Sequence, residues 1–122
     1  MPVRQPELDS KIQAWIEALT DRTFDSGKSY EDNLKDGVLI CHLMNKLQPN
    51  SIPKIEEAGS PFKLRQNIDK FQTAIKKYGV ATEQVFQTVD LFERKNIPQV
   101  TACLFELSRQ AKLKGFSGPF VE

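Results

Sequence analysis

Leu34-Lys35-Asp36-Gly37-Val38-Leu39-Ile40-Cys41-His42-Leu43-Met44-Asn45-Lys46-Leu47-Gln48-Pro49 is the stretch that decides the fold. Asp36-Gly37 opens it: Asp favours a helix N-terminal position, and Gly suits close backbone approach. Val38, Leu39, Ile40, Leu43, Met44 and Leu47 then put apolar side chains on most sides, which marks a central buried helix. Gln48-Pro49-Asn50-Ser51 ends it, because Pro removes a donor and restricts the residue before it.

Outward from this helix the pattern stays helical. Leu8, Ile12, Trp15, Ile16 and Leu19 predict an amphipathic helix over roughly 7–19, with Pro6 where a helix start tolerates it. Residues 20–33 are polar and read as a loop with room for one short turn. Residues 48–61, with Pro49, Pro53, Pro61 and Gly59, read as a loop pinned by Ile52 and Ile55. Ser60-Pro61 starts the next helix, Ile68, Phe71, Ala74, Ile75 and Tyr78 form its apolar face, and Gly79 stops it. Thr82 can cap a short helix holding Val85 and Phe86. Asn96 can cap a last one with its stripe at Val100, Cys103, Leu104, Leu107 and Ala111. Lys114-Gly115-Phe116-Ser117-Gly118-Pro119 breaks the helix and is expected to be loosely held. No useful period-2 alternation appears. The expected class is all-α, with about four main helices plus two or three short ones.

The 122 residues are one domain's worth, and 39% hydrophobic with 27% charged residues reads as globular. A net charge of +1 argues against a strongly basic nucleic-acid binder. No apolar run reaches the roughly 18–20 residues that span a bilayer, and Arg4, Glu7, Asp9, Lys11 and Glu17 interrupt any secretory core. A cytoplasmic monomer is expected. Cys41 and Cys103 lie among apolar neighbours and read as buried free thiols, and His42 is the single imidazole. Cys41 and His42 are adjacent in sequence, so they do not face each other on a helix. No phosphate-loop, dinucleotide, metalloprotease, serine-elbow or calcium-loop pattern occurs. Glu31-Asp32 and Glu56-Glu57 read as solvated loop. Neither an enzyme nor a cofactor or metal site is expected.

The central stretch resembles the L-x-D-G-x-x-L-C-x-L-x-N-x-L-x-P segment of calponin homology domains. Trp15-Ile16-Glu17 is similar to the family's first-helix signature. Phe62-Lys63 with Asn67-Ile68 and Phe71 resembles its F-K-x-x-E-N-I-x-x-F motif. Thr88-Val89-Asp90-Leu91-Phe92-Glu93 with Lys95-Asn96 and Gln99-Val100 resembles T-V-D-L-F-E-x-x-N-x-x-Q-V. In this order over residues 8–111 the chain looks like a single, type-3-like domain of the calponin/transgelin family. The implied layout is an N-terminal arm (1–6), the domain (7–113) and a tail that looks like the start of a linker (114–122). Gln66 departs from the usual Glu. The basic repeats that usually follow the linker are not in the sequence, which puts direct actin affinity in doubt.

What the resemblance implies is a non-catalytic, actin-associated module of the cytoskeleton, with muscle as one setting, that regulates or cross-links filaments. Its rival is a signalling scaffold that docks kinases or regulatory proteins with little direct actin affinity. No nucleic acid or membrane insertion is expected. Charge bears on the choice: residues 1–61 hold 7 basic and 10 acidic residues, residues 62–122 hold 10 and 6. The stretch 63–77 carries Lys63, Arg65, Lys70, Lys76 and Lys77 against Asp69 alone. Such a stripe steers acidic partners, and it is equally the composition of an ordinary solvated face. With Lys11, Lys46 and Lys54, these cations are the candidate contacts for filamentous actin or another partner, because in tandem relatives the regions matching 7–19 and 34–71 line the actin surface. Trp15, Asp36, Gly37, Asn67 and Asp90 are read instead as structural: Trp15 as core, Asn67 and Asp90 as side chains that hydrogen-bond loop backbone.

Overall fold

In the computed structural model, which describes residues 3–121, six α-helices follow one another. They are α1 (Pro6–Thr20), α2 (Tyr30–Leu34), α3 (Val38–Leu47), α4 (Pro61–Tyr78), α5 (Thr88–Phe92) and α6 (Ile97–Leu113), with a 3-10 turn at Thr82–Gln84. The class is all-α, with four main helices and three short pieces, as the periodicity predicts. Helix α3 lies in the middle. Its Ile40, Cys41, Leu43 and Met44 are fully buried, and it packs against α1 through Ile12, Trp15 and Ile16 and against α4 through Ile68, Phe71 and Ile75. Helix α6 closes the other side of α1 and meets α5. Five-residue α2 and α5 are far too short to be stable alone. Fully buried Leu34 and Leu91 hold them to the core.

Three asparagines shape the connections. Asn67 sits inside α4 with no exposed surface. Its Nδ2 donates to the carbonyls of Asp36 and Glu56, both at 2.8 Å, and its Oδ1 accepts from Glu56 N at 2.9 Å. Asn costs a helix interior less than about 0.7 kcal/mol relative to Ala, and three hydrogen bonds from a buried amide at about 0.5–1.5 kcal/mol each outweigh that. Asn45 on α3 brackets Ile52 in the same way, through its N–H at 2.8 Å and its carbonyl at 3.0 Å. Asn33 on α2 accepts from Asp25 N at 2.8 Å and donates to Ser29 O at 2.9 Å. Gly37 completes the α3–α4 contact. Its φ is +74°, and a Cβ there would stand 2.7 Å from the Asn67 Cβ, so both conformation and space demand glycine. Asp36 Oδ1 accepts from Val38 N at 3.0 Å and starts α3.

Arg4, just before α1, is anchored. The Arg4 guanidinium pairs with both oxygens of Glu31 (2.7 and 3.0 Å) and with Asp9 Oδ2 (2.8 Å). Thr101 on α6 gives its proton to Asp9 Oδ1 at 2.7 Å, so the Tyr30 hydroxyl, 2.9 Å away, is the donor to Thr101. Arg4 holds the Glu31 carboxyl down at about 2, and burial pushes the Tyr30 phenol up.

Several segments differ from the sequence expectation: the short turn allowed in 20–33 is a helix reaching Leu34, and residues 88–92, read as a turn, form α5. The turn at Thr82–Gln84 stops before Val85 and Phe86. Phe86 instead leaves the turn to stack on Phe71 in the core, with ring centroids 6.3 Å apart. The tail after α6 is not loose. Trp15 Nε1 donates to Pro119 O at 2.9 Å, and Val121 N donates to the buried Ser108 hydroxyl at 2.9 Å. Phe116 and Phe120 meet edge to face and pack on the core. The tail's aromatics bury apolar surface that its Gly and Pro residues gave no reason to expect.

Asn67→Ala is expected to lower stability by about 2–4 kcal/mol, since it leaves three part-buried backbone groups without their partner and a cavity at a fully buried position. Chemical denaturation reads this, and a loss below about 1 kcal/mol would show that water replaces the amide. Removing residues 115–122 is expected to shift the emission of Trp15, the single tryptophan, to the red and to cost about 1–3 kcal/mol in lost burial. Unchanged emission would show that the tail does not cover the indole.

Candidate functional site

Helix α4 starts with Ser60 accepting from Lys63 N and Pro61 in the first turn, and it ends at Gly79. Its cations fall on two edges. Lys63, Lys70 and Lys77 are seven residues apart, two turns each, and share the edge beside the 48–60 connection. The Lys63 stem lies against Gly59, and Lys70 Nζ donates to Lys54 O at 2.9 Å. Lys54, Lys70 and Lys77 line one open groove of about 440 Å³ together with Ser51, Ile52, Pro53 and Ala74. Arg65 and Lys76 leave this edge. Arg65 lies over the Phe92 ring of α5 at 5.3 Å, with Lys35 on the same ring at 5.1 Å.

The remaining candidates lie apart. Lys46 lines a second depression with His42, Asn45 and Pro49, so residues 49–53 form a ridge between the two hollows. Lys11 borders an apolar trough between α1 and the tail, lined also by Trp15, Pro119 and Phe120. The stripe read along the sequence is thus a cluster of Lys54, Lys63, Lys70 and Lys77, with Lys46 across the ridge and with Lys11, Arg65 and Lys76 elsewhere. Sequence spacing alone carries the seven-residue repeat; the role of residues 51–54 needs the fold. The acidic half of the charge imbalance collects near the start of α3, where Asp21, Asp25, Asp32, Asp36 and Glu57 line a depression shared with Arg22 and Lys28.

The five residues read as structural make contacts within the chain, Trp15, Gly37 and Asn67 in the interior and Asp36 and Asp90 at helix starts. Trp15, Asp36, Gly37 and Asn67 make the contacts given above, and Asp90 Oδ2 accepts from Gln87 N at 2.8 Å at the start of α5. The thiols offer no nucleophile. Cys41 Sγ points inward to Asn67 O at 3.2 Å, while His42 Nε2 faces outward to Glu57 at 2.9 Å. Burial pushes the Cys41 thiol up to about 12 and the Cys103 thiol up to about 11. No group of three or more His, Cys, Asp or Glu side chains among the described residues is placed to hold a metal ion.

The comparisons with known proteins bear on the family and the fold. The model of the calponin homology (CH) domain family matches residues 6–113. Muscle-specific protein 20 of Drosophila melanogaster is 50% identical over 119 residues, which are 97% of this chain and 65% of that protein. Myophilin of Echinococcus granulosus is 48% identical over 118 residues, 95% of this chain and 62% of the relative. Calponin-1 of Meleagris gallopavo is 41% identical over 110 residues, 90% of this chain and 61% of the relative. The chain therefore spans less than two thirds of the length of these proteins. Among solved structures, the calponin-homology domain of Rng2 from Schizosaccharomyces pombe superposes with a TM-score of 0.82 at 27% identity, covering 93% of this chain and 72% of that one.

Both thiols are expected to resist alkylation in the folded protein at pH 8–9, where ordinary thiols ionise. Their folded pKa values are raised, so their contribution is intact below the unfolded value of 9.0 and stability falls as pH rises above it, because only the unfolded thiols ionise there. Mass spectrometry after brief iodoacetamide treatment checks this. Rapid labelling of native protein would place a thiol at the surface.

Proposed function

The chain belongs to the calponin homology domain family, and from that premise we propose that it is an actin-associated cytoskeletal module of the calponin/transgelin type, working in the cytoplasm. Proteins of this family are structural and non-catalytic. The observation that carries the reading is the lysine edge of α4 with Lys54 beside it. Lys63, Lys70 and Lys77 form no ion pair with a described acidic residue, and Lys54 Nζ stands 4.0 Å from Glu56. Actin filaments present acidic surface, so the sign of the charge suits the contact.

The magnitudes set the character of the binding. Exposed ion pairs contribute about 0.2–1 kcal/mol each, and they are screened over about 8–10 Å at physiological salt. One small domain also offers a limited interface. Binding by this chain alone is weak and salt-sensitive, and in a longer protein it adds to whatever other segments contribute.

Filament co-sedimentation at low and physiological salt tests this. Lys63→Glu with Lys77→Glu is expected to weaken low-salt binding roughly tenfold, with helical circular dichroism unchanged. Lys76→Glu with Lys95→Glu makes the same change in net charge away from the edge and is expected to leave most of the binding. Equal loss in both pairs would reduce the effect to net charge. No low-salt binding by the parent chain would overturn the actin reading in favour of a docking module.

A further inference from the structure

We propose that the groove between residues 51–54 and α4 is a docking site for an acidic peptide segment carrying one apolar anchor side chain. The proposal rests on reading this edge as a partner surface and names the chemistry of the contact. The groove's volume of about 440 Å³ falls within the range of about 300–1,000 Å³ found for ligand pockets. Ile52, Pro53 and Ala74 give it apolar walls, and Lys54, Lys70 and Lys77 surround them. An apolar floor inside a cationic rim suits a partner of opposite layout, with an aliphatic or aromatic side chain inserted and carboxylates at either side.

The lining also says how the partner does not bind. Ile52 has both its N–H and its carbonyl taken by Asn45, Pro53 has no N–H, and the Lys54 carbonyl is taken by Lys70. With Ile52 occupied and Pro53 lacking a donor, the 52–54 edge offers no continuous backbone ladder for an added strand, so recognition falls to side chains. The same three hydrogen bonds hold the wall in place before a partner arrives, which lowers the ordering cost of binding. No aromatic side chain lines the groove, so it lacks the stacking platform that single-stranded nucleic acid uses. The one acidic group in the lining, Asp69, accepts a hydrogen bond from the Thr88 hydroxyl at 2.9 Å, which draws it towards α5.

The probe is a short acetylated, amidated peptide of a single leucine flanked by aspartates and glutamates, titrated into the full chain and followed by methyl NMR. The expected result is saturable shifts at Ile52, Thr73 and Ala74 that weaken with salt. Lys54→Glu with Lys77→Glu is expected to weaken the affinity roughly tenfold, and Thr73→Trp to abolish the methyl shifts by filling the groove. The same peptide with lysines in place of its acids is expected not to bind. Shifts confined to other surfaces, or equal binding by the lysine peptide, would overturn the proposal. So would phosphatidylserine vesicles shifting these methyls where the acidic peptide does not. Because the titration contains no filaments, it stands apart from the actin reading. Peptide binding by a chain that fails to co-sediment would keep the groove and remove actin as its partner.

Discussion

The side-chain amide of Asn67 is the constraint on which the rest depends. It joins three chain segments at a point that water does not reach: the turn before α3, the connection at Glu56 and α4 itself. Because the amide is spent on Asp36 and Glu56, α4 must approach the start of α3 closely enough that residue 37 has no room for a side chain. That approach brings Cys41 Sγ to the Asn67 carbonyl and packs Ile68 and Phe71 beside Ile40 and Met44. It also fixes where the 48–60 connection leaves α3 and rejoins α4, and so where Lys54 stands relative to Lys70 and Lys77.

A division of labour between polar groups follows. Neutral amides and hydroxyls are engaged inside, and no buried side-chain nitrogen or oxygen among the described residues lacks a partner. The exceptions to neutrality are Asp9, whose charge is met by Arg4 at the surface and by Thr101 within, and Glu106, whose carboxylate accepts from Arg109 and Gln110. Lysines are left outside, on long flexible stems that cost little to solvate.

The four long helices were legible because each carries its own stripe or its own start and stop: the apolar run after Gly37, Ser60-Pro61 before α4, Gly79 after it, and Asn96 before α6; five-residue α2 and α5 are too short to show a stripe. Asn67 was legible for a related reason, since a poor helix former in a helix interior signals a hydrogen bond elsewhere. Asn33 and Asn45 carry the same signal, which shorter helices make easier to overlook. The tail was not legible. Its Gly and Pro residues report local backbone freedom, whereas its position is set by Trp15, more than a hundred residues away in the chain. The candidate cations were half legible. Spacing aligns Lys63, Lys70 and Lys77 and sets Arg65 and Lys76 apart, but a count of charges over 63–77 hides that, and Lys54 joins them only through the fold.

The fastening of the tail bears on how the domain would carry mechanical load. A pull on the C-terminal end reaches the Val121–Ser108 bond and then the indole–Pro119 bond before it reaches α6. These contacts lie in series along the strap and would break in succession, as in peeling, at far lower force than shearing packed helices apart. The first turns of the chain are fastened differently, through the paired hydrogen bonds of Arg4 to Glu31 and its bond to Asp9. The two ends would therefore yield at different tensions, with the strap giving slack first and the helical body staying whole behind it.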